Sequence, residues 1–279
     1  MIARLLVGFY RWWHGKLHLP GAGWLIRRCV PHVSALHAHP LCIPGFGTVM
    51  VDFRDDAAFG ILNVSLGELG DDTHLHAWIK KYLVSDTVFW DVGANVGYFS
   101  LHLARNCPEV RALHAFEPNP RTLLTLRSLF TGHPTVTVHP VGLGRSDSEM
   151  ELSASASGSQ TASLVQPIDG ATKIRVVIRR GDDYARLHQI PDPDMLKIDV
   201  EAFEPEVFAG LAETIRRKKP LIFFEHHFLT DAQIRQIVPE GYTLRFLLKG
   251  DGSLSENFVD RATSSDCLLI PPGREIPGS

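Results

Sequence analysis

Phe89-Trp90-Asp91-Val92-Gly93-Ala94-Asn95-Val96-Gly97-Tyr98-Phe99-Ser100 is the stretch from which the rest of this chain can be read. A hydrophobic run closes on Asp91, turns through two glycines and enters an apolar segment at Tyr98. Gly93 lets the backbone turn tightly, and Gly97 lets the start of a helix approach a ligand or the sheet. A strand that feeds a helix through such a turn places the turn at the carboxyl edge of a parallel sheet, where open α/β folds bind their ligands.

The same rhythm continues outward. Strand-like runs at 88–92, 110–116, 136–141, 195–200 and 221–225 alternate with helix-like runs at 98–105, 121–131, 205–217 and 231–238. Strand, helix, strand, repeated, predicts an α/β fold with a mostly parallel sheet covered by helices on both faces. The Ser/Ala/Gly-rich segment 153–166 reads as a loop suited to a substrate-ordered lid. The run 175–179 closes that loop as a hairpin, and 242–248 and 267–270 supply two further strands. Residues 1–84 break the rhythm. They read as an N-terminal helical and hairpin extension: an amphipathic start, a Pro/His-rich stretch from Pro31 to Pro44, a hairpin around 46–53 and a helix over 72–83. The expected division is a substrate cap, 1–84, and a cofactor domain, 85–279.

Composition narrows the function classes. A chain of 279 residues with 44% hydrophobic residues can build one large core. A net charge of −3 with both signs mixed argues against a nucleic-acid partner. The basic run Arg216-Arg217-Lys218-Lys219 suits the C-terminal end of a helix. Four scattered cysteines without a C-x-x-C pair fit a reduced, cytoplasmic protein. No apolar run reaches the ~18–20 residues a membrane span needs. The first 16 residues mix Arg4, Arg11 and Lys16 with Leu5, Leu6, Phe9, Tyr10, Trp12 and Trp13. They are expected to pack as a helical arm on the domain or on a second subunit of a homo-oligomer; weak contact with a membrane surface is the other reading. His32, His37, His39, His74 and His76 lack the carboxylate or Cys partners of a metal site and read as surface or core residues.

The second strand, Ala112-Leu-His-Ala-Phe-Glu117-Pro118, ends in an acid that can accept hydrogen bonds from both ribose hydroxyls of an adenosine. Pro118 and Pro120 bracket the turn after it, with Asn119 between them as a further cofactor contact, and the third strand ends at Val141-Gly142, where the adenine face would lie. The first loop chooses among adenosine cofactors. It is D-x-G-x-N-x-G, with Asn95 and Tyr98 between and after its glycines, rather than the G-x-G-x-x-G that cradles a pyrophosphate. Asp91 at its entrance would repel a pyrophosphate but attract a sulfonium or an α-amino group. A cationic cofactor is therefore expected.

Three segments together, 91–97, Ala115-Phe-Glu-Pro118 and Lys197-Ile-Asp-Val-Glu-Ala-Phe-Glu204, resemble the FkbM family of methyltransferases over roughly residues 60–228. The resemblance implies a class I methyltransferase (Rossmann-like) fold with a seven-stranded sheet and a final antiparallel strand. It implies S-adenosylmethionine as cofactor, and a hydroxyl of a carbohydrate or natural product as the small-molecule or glycan acceptor. It also implies that Glu68 touches the methionine amino group. One departure is visible: the family usually has Gly where this chain has Ala202.

Removing the proton of an aliphatic hydroxyl calls for a base or a metal. Lys197, Asp199 and Glu201 alternate, so a continuous strand would put all three on one face. Glu204 before Pro205 suits either the site or the first turn of a helix. The fifth strand delivers Glu225, His226 and His227 to the carboxyl edge. His226 or His227 is expected as general base, with Lys197, Asp199 and Glu225 beside it; Asp199 and Glu225 holding Mg2+ is the alternative. A nucleotide-dependent oxidoreductase or epimerase is disfavoured by the absence of G-x-G-x-x-G and of Tyr-x-x-x-Lys. A non-catalytic binding scaffold rests on the aromatic, basic start alone.

Overall fold

The computed structural model describes residues 1–17, 22–55, 57–66, 73–154, 162–165 and 171–275. The chain opens with α1 (Ile2–Leu17) and α2 (Ala22–Cys29), a hairpin of β1 (His39–Ile43) and β2 (Gly47–Val51), then α3 (Ala57–Leu66) and α4 (Thr73–Tyr82). The alternating part follows: β3 (Thr87–Val92), α5 (Tyr98–Asn106), β4 (Val110–Phe116), α6 (Pro120–Phe130) and β5 (Val136–His139). Next come β6 (Gly142–Gly144), β7 (Ser148–Ala154), β8 (Thr172–Arg180) and α7 (Gly181–Leu187). The last part is β9 (Met195–Ile198), α8 (Glu204–Gly210), α9 (Ala212–Lys218), β10 (Leu221–Glu225), α10 (Asp231–Ile237), β11 (Thr243–Leu248), β12 (Leu254–Ser255) and β13 (Ser264–Ile270).

The main sheet has the order β12-β11-β13-β10-β9-β3-β4-β5. Strands β10, β9, β3, β4 and β5 run parallel, and β13 lies antiparallel between β10 and β11. This is the class I methyltransferase arrangement of seven strands plus one. The two-residue β12 is the eighth, too short to leave a periodic signal in the sequence. From β3 the chain winds first toward β5 and later toward β10, so strand order reverses between β3 and β9. Ligands of open α/β sheets lie at the carboxyl ends beside such a switch.

Every residue of β3 is buried, as a parallel strand covered on both faces requires. Phe89 joins the core on one face, whereas Val88, Trp90 and Val92 join the core on the other. Trp90 is fully buried, and its indole N–H donates to the Pro191 carbonyl at 3.0 Å. The extension 1–84 contributes to the first of these cores: Val7, Tyr10, Ile26, Phe53, Phe59 and Ile79 pack in the same cluster as Phe89 and Phe99.

Several boundaries differ from expectation, each for a physical reason. The third strand stops at His139 because Pro140 has no N–H to donate. Gly142 then opens β6 of a separate three-stranded sheet, β6-β8-β7. The hairpin within it is longer than expected, pairing Ser148–Ala154 with Thr172–Ile178. The helix expected over 205–217 is two helices, divided at Leu211, whose φ of −107° is not helical and whose side chain is fully buried. The N-terminal hairpin begins earlier than expected, at His39; Pro40 is tolerated because β1 and β2 form a sheet of two edge strands. The helix expected from 72 starts at Thr73 among the described residues.

Candidate active site

The loop after β3 is a close-packed corner. Gly93 has φ +88°, and a β-carbon there would stand 1.8 Å from the Asp199 carbonyl oxygen. Only glycine allows the loops after β3 and β9 to meet backbone to backbone. The amides of Gly93 and Ala94 both donate to the Phe116 carbonyl at 3.0 Å, and the Asp199 amide donates to Val92 at 2.9 Å. Asn95 takes a left-handed φ of 54°, and its side-chain oxygen accepts from the Val96 amide at 2.7 Å. Gly97, also left-handed, caps α5 but faces Leu126 and Phe130 of α6 rather than the cleft. Its missing β-carbon thus serves helix packing, and it is not among the residues that line the cleft.

Two acids stand in this corner. Asp91 is fully buried and accepts from the Ser100 hydroxyl at 2.6 Å. Glu117 is buried, with Oε2 accepting from the Asn95 amide (2.9 Å) and Oε1 from the Asn119 amide (2.7 Å). Burial pushes its carboxyl up to about 7 against the pull of those amides. Each carboxylate oxygen keeps a second lone pair, so Glu117 can tie the two loops together and still accept from a ribose.

Strand β9 ends at Ile198, earlier than the expected 200, because Glu201 (φ 53°) and Ala202 (φ 78°) turn left-handed. Lys197, Asp199 and Glu201 are therefore not three alternating residues of one strand. The turn nevertheless brings carboxylate oxygens of Asp199, Glu201 and Glu225 within 4.8 Å of one another. Lys197, buried beneath them, donates to Asp199 Oδ2 at 2.7 Å. Burial first, then the neighbouring carboxylates, push Glu201 up to about 7 and Glu225 up to about 9. Glu204 is buried and accepts from the Val200 amide at 3.1 Å, which makes it the clasp of this turn.

The two histidines after β10 part company. His226 is buried and absent from the cleft lining. Ser264 gives its hydroxyl proton to the Arg261 carbonyl, so His226 Nε2–H donates to Ser264 Oγ at 2.6 Å, while Nδ1 accepts from Arg261 Nε at 3.4 Å. Both nitrogens are engaged away from the cleft, so of the two histidines expected as base the geometry favours His227 over His226. His227 does line the cleft; its Nδ1 lies 3.2 Å from Glu225 Oε1 and its Nε2 3.5 Å from Lys249 Nζ. Burial and then the Lys249 charge lower its pKa.

One cavity of about 580 Å³ joins all of this. Asp91, Gly93, Asn95, Tyr98, Glu117, Pro118, Asn119 and Gly142 line it together with Lys197, Asp199, Glu201, Glu225 and His227, and Asp91 and Lys197 are partners in register on β3 and β9. Glu68 lies outside the described residues. Thr73, His74, Phe203, Lys249 and Asp266 also line the cavity and were not foreseen. Lys249 and Asp266 arrive there because β13 and β11 fold back beside β10, a placement that no local spacing announces. Of the segment 153–166, Ala162 and Leu164 reach the wall, and Ser163 Oγ donates to the Glu201 carbonyl at 2.7 Å. The four cysteines are all free.

The model of the methyltransferase FkbM domain matches residues 91–248. The chain belongs to the FkbM methyltransferase domain family. The match begins at Asp91 and takes in the donor loop, the Lys197–Glu204 turn and the Glu225 strand end. Among relatives of this FkbM-domain chain, the hexuronic acid methyltransferase AglP of Haloferax volcanii is 29% identical over 160 residues, covering 56% of this chain and 62% of AglP. Methyltransferase 1 of Beauveria bassiana is 28% identical over 149 residues, covering 45% of this chain and 59% of that protein. The chain thus spans about six tenths of the length of these two curated relatives. A crystal structure of methyltransferase FkbM from Methylobacillus flagellatus superposes with a TM-score of 0.48 at 16% identity, covering 89% of this chain and 60% of that one. No helix among the described residues is long and apolar enough to cross a membrane.

Proposed function

We propose that this FkbM-domain chain transfers a methyl group from S-adenosylmethionine to a hydroxyl of a carbohydrate or natural product. The observation that carries the reading is that the Asp91–Tyr98 loop and Glu117 line the same cleft as Asp199, Glu225 and His227. The donor set fits the cofactor. Buried acids stand at the loop, its glycine cradle is the tight Gly93 turn, and the one buried amine among the described lining residues, Lys197, is paired with Asp199. That chemistry suits a cation and an adenosine ribose and repels a pyrophosphate. When bound, S-adenosylmethionine supplies an electrophilic methyl group.

The chain's own tasks are alignment and proton removal. With Nδ1–H held by Glu225 Oε1, His227 presents to the cleft the Nε2 lone pair, 3.5 Å from Lys249 Nζ, and this is the atom that takes the hydroxyl proton when the acceptor displaces that long contact. Its lowered pKa keeps the ring unprotonated, and so available as a base, near neutral pH. Lys197 fixes Asp199 so that its other oxygen can accept from the acceptor hydroxyl. Direct base catalysis is preferred over Mg2+ assistance because Lys197 and His227 already partner two of the three carboxylates a metal would use. The kinship to a hexuronic acid methyltransferase supports a sugar as acceptor, and residues 1–84 with the 162–165 wall are the proposed specificity elements.

The test is transfer of a labelled methyl group from S-adenosylmethionine to a panel of uronic acids, neutral glycans and polyketide alcohols, with and without chelator. A methyl ether formed on a hydroxyl in the presence of chelator supports the reading. Methylation only on nitrogen or carbon, or activity that needs added Mg2+, contradicts it.

A further inference from the structure

A second surface stands outside the cleft. The first 51 residues contain Arg4, Arg11, Lys16, Arg27 and Arg28 and no acid; the first is Asp52, in a chain whose net charge is −3. Helix α1 has two faces. Ala3, Val7 and Tyr10 are buried against the domain, and the Tyr10 hydroxyl donates to Asn63 of α3 at 2.8 Å. On the other side Ile2, Leu5, Phe9 and Trp12, spaced three and four residues apart, are exposed, Leu5 by 65% and Trp12 by 52%. Phe9, Trp12 and Trp13 form an aromatic group with ring centroids 5.2–6.3 Å apart. Arg4 and Arg11, one above the other along the helix, flank the stripe. Helix α2 packs against α1 and adds Trp24, 62% exposed, with the Arg28 guanidinium 5.7 Å from its ring.

We infer that the α1–α2 face docks on an anionic lipid bilayer surface, with α1 lying in the interfacial plane. An exposed apolar stripe that holds Trp12 and is joined by Trp24 of α2, flanked by arginines and free of acids, has the make-up of an interfacial surface. Charge complementarity selects the occupant. A second copy would bring cations against cations, whereas acidic headgroups neutralise them. Helix α3 connects this face to the site: Phe59 lies 5.9 Å from Tyr10, and Gly60 packs beneath Tyr98 of the cleft. Docking therefore holds the cleft beside the bilayer and suits an acceptor hydroxyl presented there; this last consequence rests on the methyltransferase reading, while the docking does not.

Co-sedimentation of the full chain with vesicles tests it. Vesicles of phosphatidylglycerol in phosphatidylcholine are expected to carry the chain down, vesicles of phosphatidylcholine alone to leave it in solution, and added salt to weaken the binding. Leu5→Ser with Trp12→Ser, and separately Arg4→Gln with Arg11→Gln, should each weaken partition on the order of tenfold while circular dichroism and the melting temperature stay unchanged. The arginine pair keeps the test open if the serine pair unfolds the helix. Equal binding to both vesicles overturns the inference. So does binding to neither, whether the chain is then a monomer or a dimer that Trp12→Ser dissolves.

Discussion

The Asp199 carbonyl oxygen occupies the space in which Gly93 would carry its β-carbon, 1.8 Å from that position. The loop after β3 and the turn after β9 are thereby one unit rather than two neighbouring loops. Gly93→Ala must part them and strain a φ of +88° as well. The expected cost is about 2–4 kcal/mol of stability, with S-adenosylhomocysteine affinity down at least tenfold. Thermal melting and calorimetry check both. An alanine variant with wild-type affinity would show that the two loops are independent.

Ala202 gives the opposite case. Its φ of 78° imposes a left-handed backbone on a residue with a β-carbon. Ala202→Gly relieves that strain at some cost in unfolded-state entropy, so a net gain of about 0.5–1 kcal/mol is expected in denaturant unfolding. No gain would mean that the turn relaxes around the methyl group.

The histidine pair separates chemistry from support. His227→Ala should lower kcat on the order of 10²–10⁴-fold and abolish the acid-side fall of the rate. His226→Ala should leave the shape of the pH–rate profile intact while lowering stability by about 1–3 kcal/mol, because Ser264 and Arg261 lose a buried partner. The assignment of the two residues is reversed if His226→Ala alone alters the pH profile.

How much of this was legible in the sequence follows the range of the physics. Asp91, Glu117, Asp199 and Glu225 could be placed because each ends a strand, and strand ends of a parallel sheet share one edge. His226 and His227 are adjacent and chemically identical in sequence; only the strand direction of β10 and the Ser264–Arg261 contact tell them apart. At the left-handed turn neither Glu201 nor Ala202 announces positive φ by itself; the one hint is the glycine that the resembling family usually has where this chain has Ala202. Helices α2 and α3 escaped notice because α2 is eight residues long and α3 (AAFGILNVSL) is apolar nearly all round, with no stripe to reveal it.

Acid stability should be governed in part by His76. It is buried, stacks on Phe99 with centroids 4.4 Å apart, and has no hydrogen-bond partner for either ring nitrogen among the described residues. Burial, then the charges of His102, Lys197 and Lys80, lower its pKa to about 2. The unfolded chain therefore binds a proton that the folded one refuses. The stability is fully present above about pH 6.5 and is lost progressively as pH falls toward 2. His76→Phe keeps the stack and removes this loss, and should narrow the gap between stability at pH 8 and pH 5 by about 2 kcal/mol. An unchanged pH dependence of unfolding would exclude His76 as a source.

The central claim is that the Asp91–Tyr98 loop and Glu117 bind an adenosine cofactor bearing a cation rather than a dinucleotide. Isothermal titration of the chain with S-adenosylmethionine, S-adenosylhomocysteine and NADH tests it most directly. Saturable heat is predicted for both adenosyl ligands, weakened at least tenfold by Glu117→Ala, with none for NADH. Tight NADH binding with no response to either adenosyl ligand would contradict it.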